Sequence, residues 1–296
     1  MSLLTQAGAH LGAAVRNLRP PKAPDELIAQ ARAGLDGRRP LRAGDRVVFR
    51  HAGREVGLSR LALGTGSNGW NGRSNQTRQL GEGGVAELFG HAYRRHGVTF
   101  WDSADQYGSH PHLRAALQRV PRDEVAILTK SVARTPQAMR EDLQRFRREL
   151  GVETIDILLL HCLTDSRWPE RMRAVMDVVS EAQQAGHIRL KGVSCHSLGA
   201  LQAATAEPWV EVDLARINPG GLNMDAEPSV VVPILRGMKA AGKSIIAMKV
   251  FGNGRLAARK RECLEFALGL DCIDALTLGI ESVAQLDEVA DIIASL

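Results

Sequence analysis

From Leu61 to Leu296 the chain alternates between short apolar runs and longer stretches whose apolar residues recur every three or four positions. The runs are "LALG" (61–64), "VTFWD" (98–102), "VAILTK" (125–130), "IDILLLH" (155–161), "RLKGVS" (189–194), "VDLARI" (212–217), "SIIAMK" (244–249) and "DALTLG" (274–279). Runs this continuously apolar suit strands buried on both faces, as in a parallel sheet covered by helices. The intervening stretches read as amphipathic helices. Val85, Leu88, Phe89 and Ala92 repeat at i, i+3, i+4 and i+7 before a stop at Gly97. Thr135 and Pro136 open a helix carrying Met139, Leu143, Phe146 and Leu150, which Gly151 closes. Ser282 and Gln285 form a capping-box pattern ahead of Leu286, Val289 and Ile293. Eight strand–helix units in about 235 residues predict an α/β fold, a closed (β/α)8 TIM barrel. An open, dinucleotide-binding sheet is disfavoured because no GxGxxG follows the first strand.

Upstream of the barrel, "DRVVFRHAGREVGLSRL" predicts a hairpin about "HAGRE". Residues 1–45 differ from the rest and read as a helical N-terminal extension to a barrel over 46–296. Leu4, Leu11, Val15 and Leu18 mark one helix face, "RPPKAP" breaks it, and "DELIAQARAGLDG" predicts a second helix ended by glycine. The sequence leaves open whether this extension packs on the barrel or on a neighbouring molecule, and it leaves the oligomeric state open too.

Composition narrows the function classes. Hydrophobic residues at 44% and charged ones at 24% describe an ordinary globular chain. The formal net charge of +5 is spread over helical segments such as "YRRHG", "RFRREL" and "RKREC" without interleaved aromatics, so no nucleic-acid partner is expected. A mildly positive barrel mouth would favour a phosphorylated ligand. No apolar run reaches the roughly 18 residues of a membrane span, and the first residues lack a signal-peptide core. Cys162, Cys195, Cys263 and Cys272 show no metal or redox spacing, which points to reduced thiols in a cytoplasmic protein.

In such barrels chemistry gathers at the C-terminal strand ends. Three consecutive strands end in Asp102, Lys130 and His161, with Tyr107 on the loop after Asp102. A phenol with its usual pKa of about 10 is a poor proton donor, and a nearby ammonium is expected to lower that value. Asp102 would hold Lys130 charged and in place. A neutral His161 would donate to a carbonyl oxygen and support its developing charge. Together the four would protonate a carbonyl oxygen as hydride reaches carbon. Tyr93 falls inside a helix and is expected to be structural. The pair His110 and His112, with His161, invites a metal reading, but metal-hydrolase barrels need a carboxylate at a further strand end and the eighth strand ends in Gly279, so no metal is expected there. Cys162 and Cys195 are expected to be small buried hydrophobes.

The four residues, in this chain order, resemble the catalytic tetrad of the aldo-keto reductase family. "WDSADQYGS" matches its Asp, four residues, Tyr-Gly pattern, and "ILTK" and "IDILLLHC" match its lysine and histidine segments. The likeness runs through "GHIRLKGVSCHS", "AGKSIIAMKVFGNGRL" and "LGIESVAQLDE" and covers roughly residues 46–296. It implies an NAD(P)H-dependent oxidoreductase that reduces an aldehyde or ketone, or runs the reverse. It also implies a cofactor site over the mouth from Thr65, Gly66, Ser194, Cys195, Met248, Lys249, Phe251, Gly252, Gly254, Gly279, Glu281, Ser282 and Gln285. Three of its positions depart from the family pattern: Cys195 stands for an Asn, Leu214 for a Gln and Met248 for a stacking Tyr. Glu281 stands where a basic residue often reads a 2'-phosphate, which favours NADH or relaxed choice, with Arg255 or Arg259 as a possible rescue for NADPH.

Two other classes compete. A Schiff-base lyase would use Lys130 or Lys249, both at strand ends. A catalytically weak nicotinamide-binding regulator, as in the potassium-channel beta subunits of that family, would fit the departures at 195, 214 and 248. The substrate is a small carbonyl compound of unread identity. With the last helix ending at Leu296, the pocket is expected to be open and lined by Trp70, Trp101 and Trp168.

Overall fold

The computed structural model describes residues 23–296. The helix expected from Leu4 to Leu18 lies outside the described residues. The hairpin consists of β1 (Arg46–His51) and β2 (Arg54–Ser59), paired antiparallel. Eight parallel strands follow: β3 (Leu61–Gly64), β4 (Phe100–Asp102), β5 (Ala126–Ser131), β6 (Ile155–Leu163), β7 (Ile188–Cys195), β8 (Val212–Arg216), β9 (Ser244–Met248) and β10 (Ala275–Gly279). They pair in sequence order, and β10 closes on β3 to make the (β/α)8 barrel.

Two apolar layers follow from the alternation of side chains along each strand. Ala62, Phe100, Leu128, Leu159, Val212 and Ile246 point inward and meet Phe49, Val56 and Leu58 of the hairpin, which plugs the lower end of the barrel. Residues of opposite parity, such as Leu63, Trp101 and Ile127, pack against the surrounding helices. β4 is shorter than the run "VTFWD". Ser59 Oγ accepts from the N–H groups of Thr99 and Phe100 at 2.9 and 3.0 Å, so a side chain rather than a neighbouring strand satisfies the first two donors there.

Helix ends follow the sequence signals. Gly97 and Gly151 close Gly81–His96 and Pro136–Leu150 in the left-handed region at φ 65° and 68°. Thr135 Oγ1 accepts from Ala138 N at 3.2 Å at the start of the second of these. The helix Val283–Ala294 is capped by Ser282, whose Oγ accepts from Gln285 N at 3.2 Å. Gln285 Oε1, however, takes the N–H of Glu281 at 2.9 Å instead of the N-cap N–H. In the extension, the helix Asp25–Ala33 lies on the barrel, with Leu27 and Ala31 buried. Its approach to Lys260–Gly269 is backbone to backbone: a Cβ on Gly269 would stand 1.8 Å from Ala31 O. Among the described residues no helix is long and apolar enough to cross a membrane.

Candidate active site

The β4 strand end delivers Asp102 to the barrel mouth, and the chain then makes one tight turn, Asp105–Tyr107, closed by Gly108 at φ 61°. A Cβ at position 108 would stand 2.0 Å from Gly72 O, so only glycine lets the two loops touch. Arg145, from the helix Pro136–Leu150, donates to Asp105 Oδ1 at 2.7 Å and fixes the turn from outside. Tyr107 is thereby set in the wall of a cleft of about 440 Å³ that also contains Asp102 and Lys130.

Lys130 and Asp102 are buried and paired, Nζ to Oδ1. The ammonium also donates to Ser103 O at 2.7 Å, and Thr277 Oγ1 donates to Asp102 Oδ2 at 2.8 Å. Lys130 Nζ sits 5.1 Å from the Tyr107 ring centroid, within cation–π range. The ring of His161 meets Tyr107 edge-on, with centroids 5.9 Å apart. All four sequence-predicted residues therefore converge.

The electrostatics differ from expectation at the phenol. Its pKa is raised, not lowered, by burial first, with Asp102 and Cys162 adding to the shift. The reason is that Lys130 arrives already neutralised by Asp102, so the pair presents the phenol with little net positive charge. Tyr107 is accordingly a neutral phenol. His161 is brought down to about 2 by burial first, then by Lys130, His196, Arg134 and Lys249. It is thus a neutral imidazole, and its Nδ1 has no hydrogen-bond partner among the described residues.

β6 bulges between Leu160 and Leu163, leaving Cys162 at φ 57°. The bulge turns Cys162 onto the rim, 3.9 Å from His196 Nε2, half-buried rather than in the core as its apolar context suggested. His110 is engaged by Glu149 and Thr129, each at 2.8 Å, and does not join His112 in a common site. Tyr93 donates to Glu124 at 2.5 Å on the outer surface.

The cofactor positions divide into two groups. Gly66, Met248, Lys249 and Phe251 line the cleft, as do Gly254, Gly279, Glu281 and Gln285 further along it. Leu214 is also in its wall. Thr65 instead brackets β3 to β4, its N–H and Oγ1 both bonding Asp102 O. Gly252 turns the loop after β9 by accepting Asn223 Nδ2 and bonding Lys249 O. Ser282 is consumed as a helix cap. Cys195 packs in the outer layer with 1% exposure, because it neighbours Ser194 on a strand and so faces the opposite way.

A nicotinamide dinucleotide suits the residues present. Ser194 Oγ, in β7, is buried without a partner among the described residues. Gly254 at φ 84° leaves open space where a Cβ would be. The Lys249 ammonium has no partner among the described residues, and its pKa is lowered by burial first and then by Lys130. Carboxamide and pyrophosphate groups would meet these unmet donors.

Several contributors were not foreseen. Thr277 is one; Gln76 is another, fully buried and donating to Ser67 Oγ and Ile280 O at 2.8 and 3.2 Å, which ties the loop after β3 to that after β10. A lone polar residue in the apolar run "DALTLG" was the available signal for the first. Of the tryptophans, Trp101 and Trp168 are core residues, Trp101 packing on Phe89 and Trp168 donating to Ala200 O. Trp70 is 54% exposed, and none of the three lines the cleft.

A family model described as Aldo/keto reductase family matches residues 60–268. The aldo-keto reductase str7 of Strobilurus tenacellus is 26% identical over 178 residues, which are 57% of this chain and 51% of that protein. The chain thus spans about half the length of that curated relative. Among solved structures, an aldo-keto reductase from Bacillus halodurans in its holo form has TM-score 0.65 and 15% identity, over 80% of this chain and 87% of that one. The Bombyx mori aldo-keto reductase in complex with NADP has TM-score 0.60 and 16% identity, over 84% and 87%. At these identities the likeness is one of fold.

Proposed function

The chain belongs to the aldo-keto reductase family, and we propose that it reduces an aldehyde or ketone with NAD(P)H, or runs the reverse, with Tyr107 as proton donor. The observation that carries this reading is the buried Asp102–Lys130 pair beneath the Tyr107 ring, with His161 edge-on to the same ring. A reduced nicotinamide, when bound, supplies the hydride. The chain's own groups handle the substrate oxygen. Neutral His161 orients the carbonyl, and the Tyr107 hydroxyl gives its proton to that oxygen as the carbon is reduced. The phenolate left behind is met by Lys130, whose charge Asp102, Ser103 O and Thr277 keep in place. Reloading Tyr107 with a proton from solvent completes the cycle.

Reduced-nicotinamide absorbance followed against a panel of aldehydes, ketones and sugars tests the reading. Tyr107→Phe should lower kcat at least about 100-fold while leaving the nucleotide Kd nearly unchanged. An unchanged kcat removes Tyr107 from the role. Tight nucleotide binding with negligible turnover across the panel would favour a regulatory protein instead.

One observation supports a second reading. Lys249 is unpaired among the described residues, half-buried in the cleft wall and lowered in pKa, as a Schiff-base lysine must be. Lys130, by contrast, spends its donors on Asp102 and Ser103. Borohydride trapping followed by mass spectrometry separates the readings: a substrate adduct on Lys249 favours the lyase.

A further inference from the structure

The helices Gly81–His96 and Val283–Ala294 pack together beside the seam where β10 meets β3. There His91 Nε2 and His96 Nε2 stand 2.9 and 2.6 Å from the same atom, Asp287 Oδ1. The donor atoms of the three side chains all lie within 4.8 Å of one another. Gln285 and Val289 face the cleft, and Asp287, between them, points away from it toward the outer surface. This cluster is therefore separate from the catalytic mouth.

We propose that His91, His96 and Asp287 form a binding site for a borderline divalent cation, Zn2+. Two neutral imidazoles and one carboxylate supply a nitrogen–nitrogen–oxygen set with one net negative charge, and a fourth, tetrahedral position remains for water. The side chains are 30%, 14% and 42% exposed in that order, so the ion can enter from solvent. Zinc bonds of about 2.0–2.2 Å place donor atoms roughly 3.3 Å apart in a tetrahedron. The N···O separations of 2.9 and 2.6 Å must widen by roughly 0.4 and 0.7 Å, and the two imidazole nitrogens, within 4.8 Å of each other, must settle at the same spacing; side-chain rotation at a half-exposed surface supplies both. His96 is the last residue of its helix, where unpaired carbonyls favour a cation.

Charge distinguishes this cluster from the other one with metal-ligand spacing. His161, Cys162 and His196 also bring three donor atoms together, but Lys130, Arg134, Lys249 and Arg216 all act on Cys162. Four cations oppose a divalent ion at the mouth. The groups acting most strongly on Asp287, apart from its own burial, are the two imidazoles. Without metal the same geometry is a carboxylate accepting two imidazole N–H bonds, so only metal addition separates the two states. Bound zinc would join the first barrel helix to the last, between residues 191 and 196 apart in sequence.

The test uses the full chain stripped with EDTA and titrated with ZnCl2, with MgCl2 as control, by calorimetry and thermal unfolding. One equivalent of Zn2+ should bind, raising Tm by about 5 °C when zinc exceeds its Kd 100-fold. Mg2+ should do neither. Both effects should vanish in Asp287→Ala and in His91→Gln/His96→Gln, and persist in Cys162→Ser. The proposal is overturned if the parent chain binds no stoichiometric zinc, if the outer variants bind as the parent does, or if Cys162→Ser abolishes binding. Should the outer variants fold poorly, Co2+ in the parent chain decides. Tetrahedral bands without thiolate charge transfer support the site, and a thiolate charge-transfer band moves the metal to Cys162 and defeats it.

Discussion

Thr277 Oγ1 donates a 2.8 Å hydrogen bond to Asp102 Oδ2, the carboxylate oxygen that Lys130 does not use. The contact joins β10 to β4 across β3, over 175 residues of sequence. Removing it would leave one oxygen of a buried carboxylate without a partner. Thr277→Val, close in shape, should cost about 1–3 kcal/mol in urea unfolding and lower kcat more than it weakens nucleotide binding. Parent-like stability and kcat in this variant would show that Asp102 needs only its lysine.

The position of Tyr107 depends on two glycines. A Cβ on Gly66 would stand 2.3 Å from Tyr107 Cε2, and one on Gly69 would stand 2.4 Å from Cδ1, at opposite edges of the ring. Neither residue is among the glycines with positive φ, so alanine is excluded by contact alone. Gly69→Ala should displace the phenol, reduce kcat by roughly 100-fold and cost about 1–3 kcal/mol of stability from overpacking. Steady-state kinetics beside denaturant unfolding measures both, and undiminished kcat would mean that the ring has room to spare.

Acid should destabilise the protein through His161. Its folded pKa is held near 2 and that of His196 near 4, both by burial first, whereas an unfolded histidine titrates near 6.5. Below about pH 6.5 the unfolded chain binds protons that the native chain refuses, so stability falls as pH falls. Tm should decline from about pH 7 to pH 5, and the slope should be shallower in His161→Gln. Equal slopes in the two proteins would place the acid sensitivity elsewhere.

The strands were legible because burial on both faces leaves long apolar runs that helices of this chain do not share. The strand-end rule then located Asp102, Lys130 and His161, and the short loop located Tyr107. What stayed hidden depends on partners far apart in sequence. Nothing near Thr277 signals Asp102, and Gln76 shows its role only when the loops after β3 and β10 are adjacent. The raised phenol pKa was hidden for a similar reason, since it depends on how fully Asp102 cancels Lys130. Two errors were avoidable from parity alone. If Asp102 faces the mouth, Trp101 faces the helices, and if Ser194 faces inward, Cys195 cannot.

Nucleotide choice is expected to turn on Glu281. Its carboxylate lines the far end of the cleft and is held by Asn75 Nδ2 at 2.9 Å. Lys260, the nearby cation in the same wall, is engaged by Glu288 at 2.6 Å. Arg255 is exposed and outside the cleft lining, and Arg259 is paired with Glu262. A carboxylate there repels a 2'-phosphate and accepts from a ribose diol. NADH should therefore bind more tightly than NADPH, and Glu281→Arg should move the ratio of their Kd values toward NADPH by at least tenfold, or about 1.4 kcal/mol. Fluorescence titration of both nucleotides with both proteins measures this ratio. A parent chain that binds NADPH at least tenfold more tightly would show that Lys260 leaves Glu288 for the phosphate and outweighs Glu281.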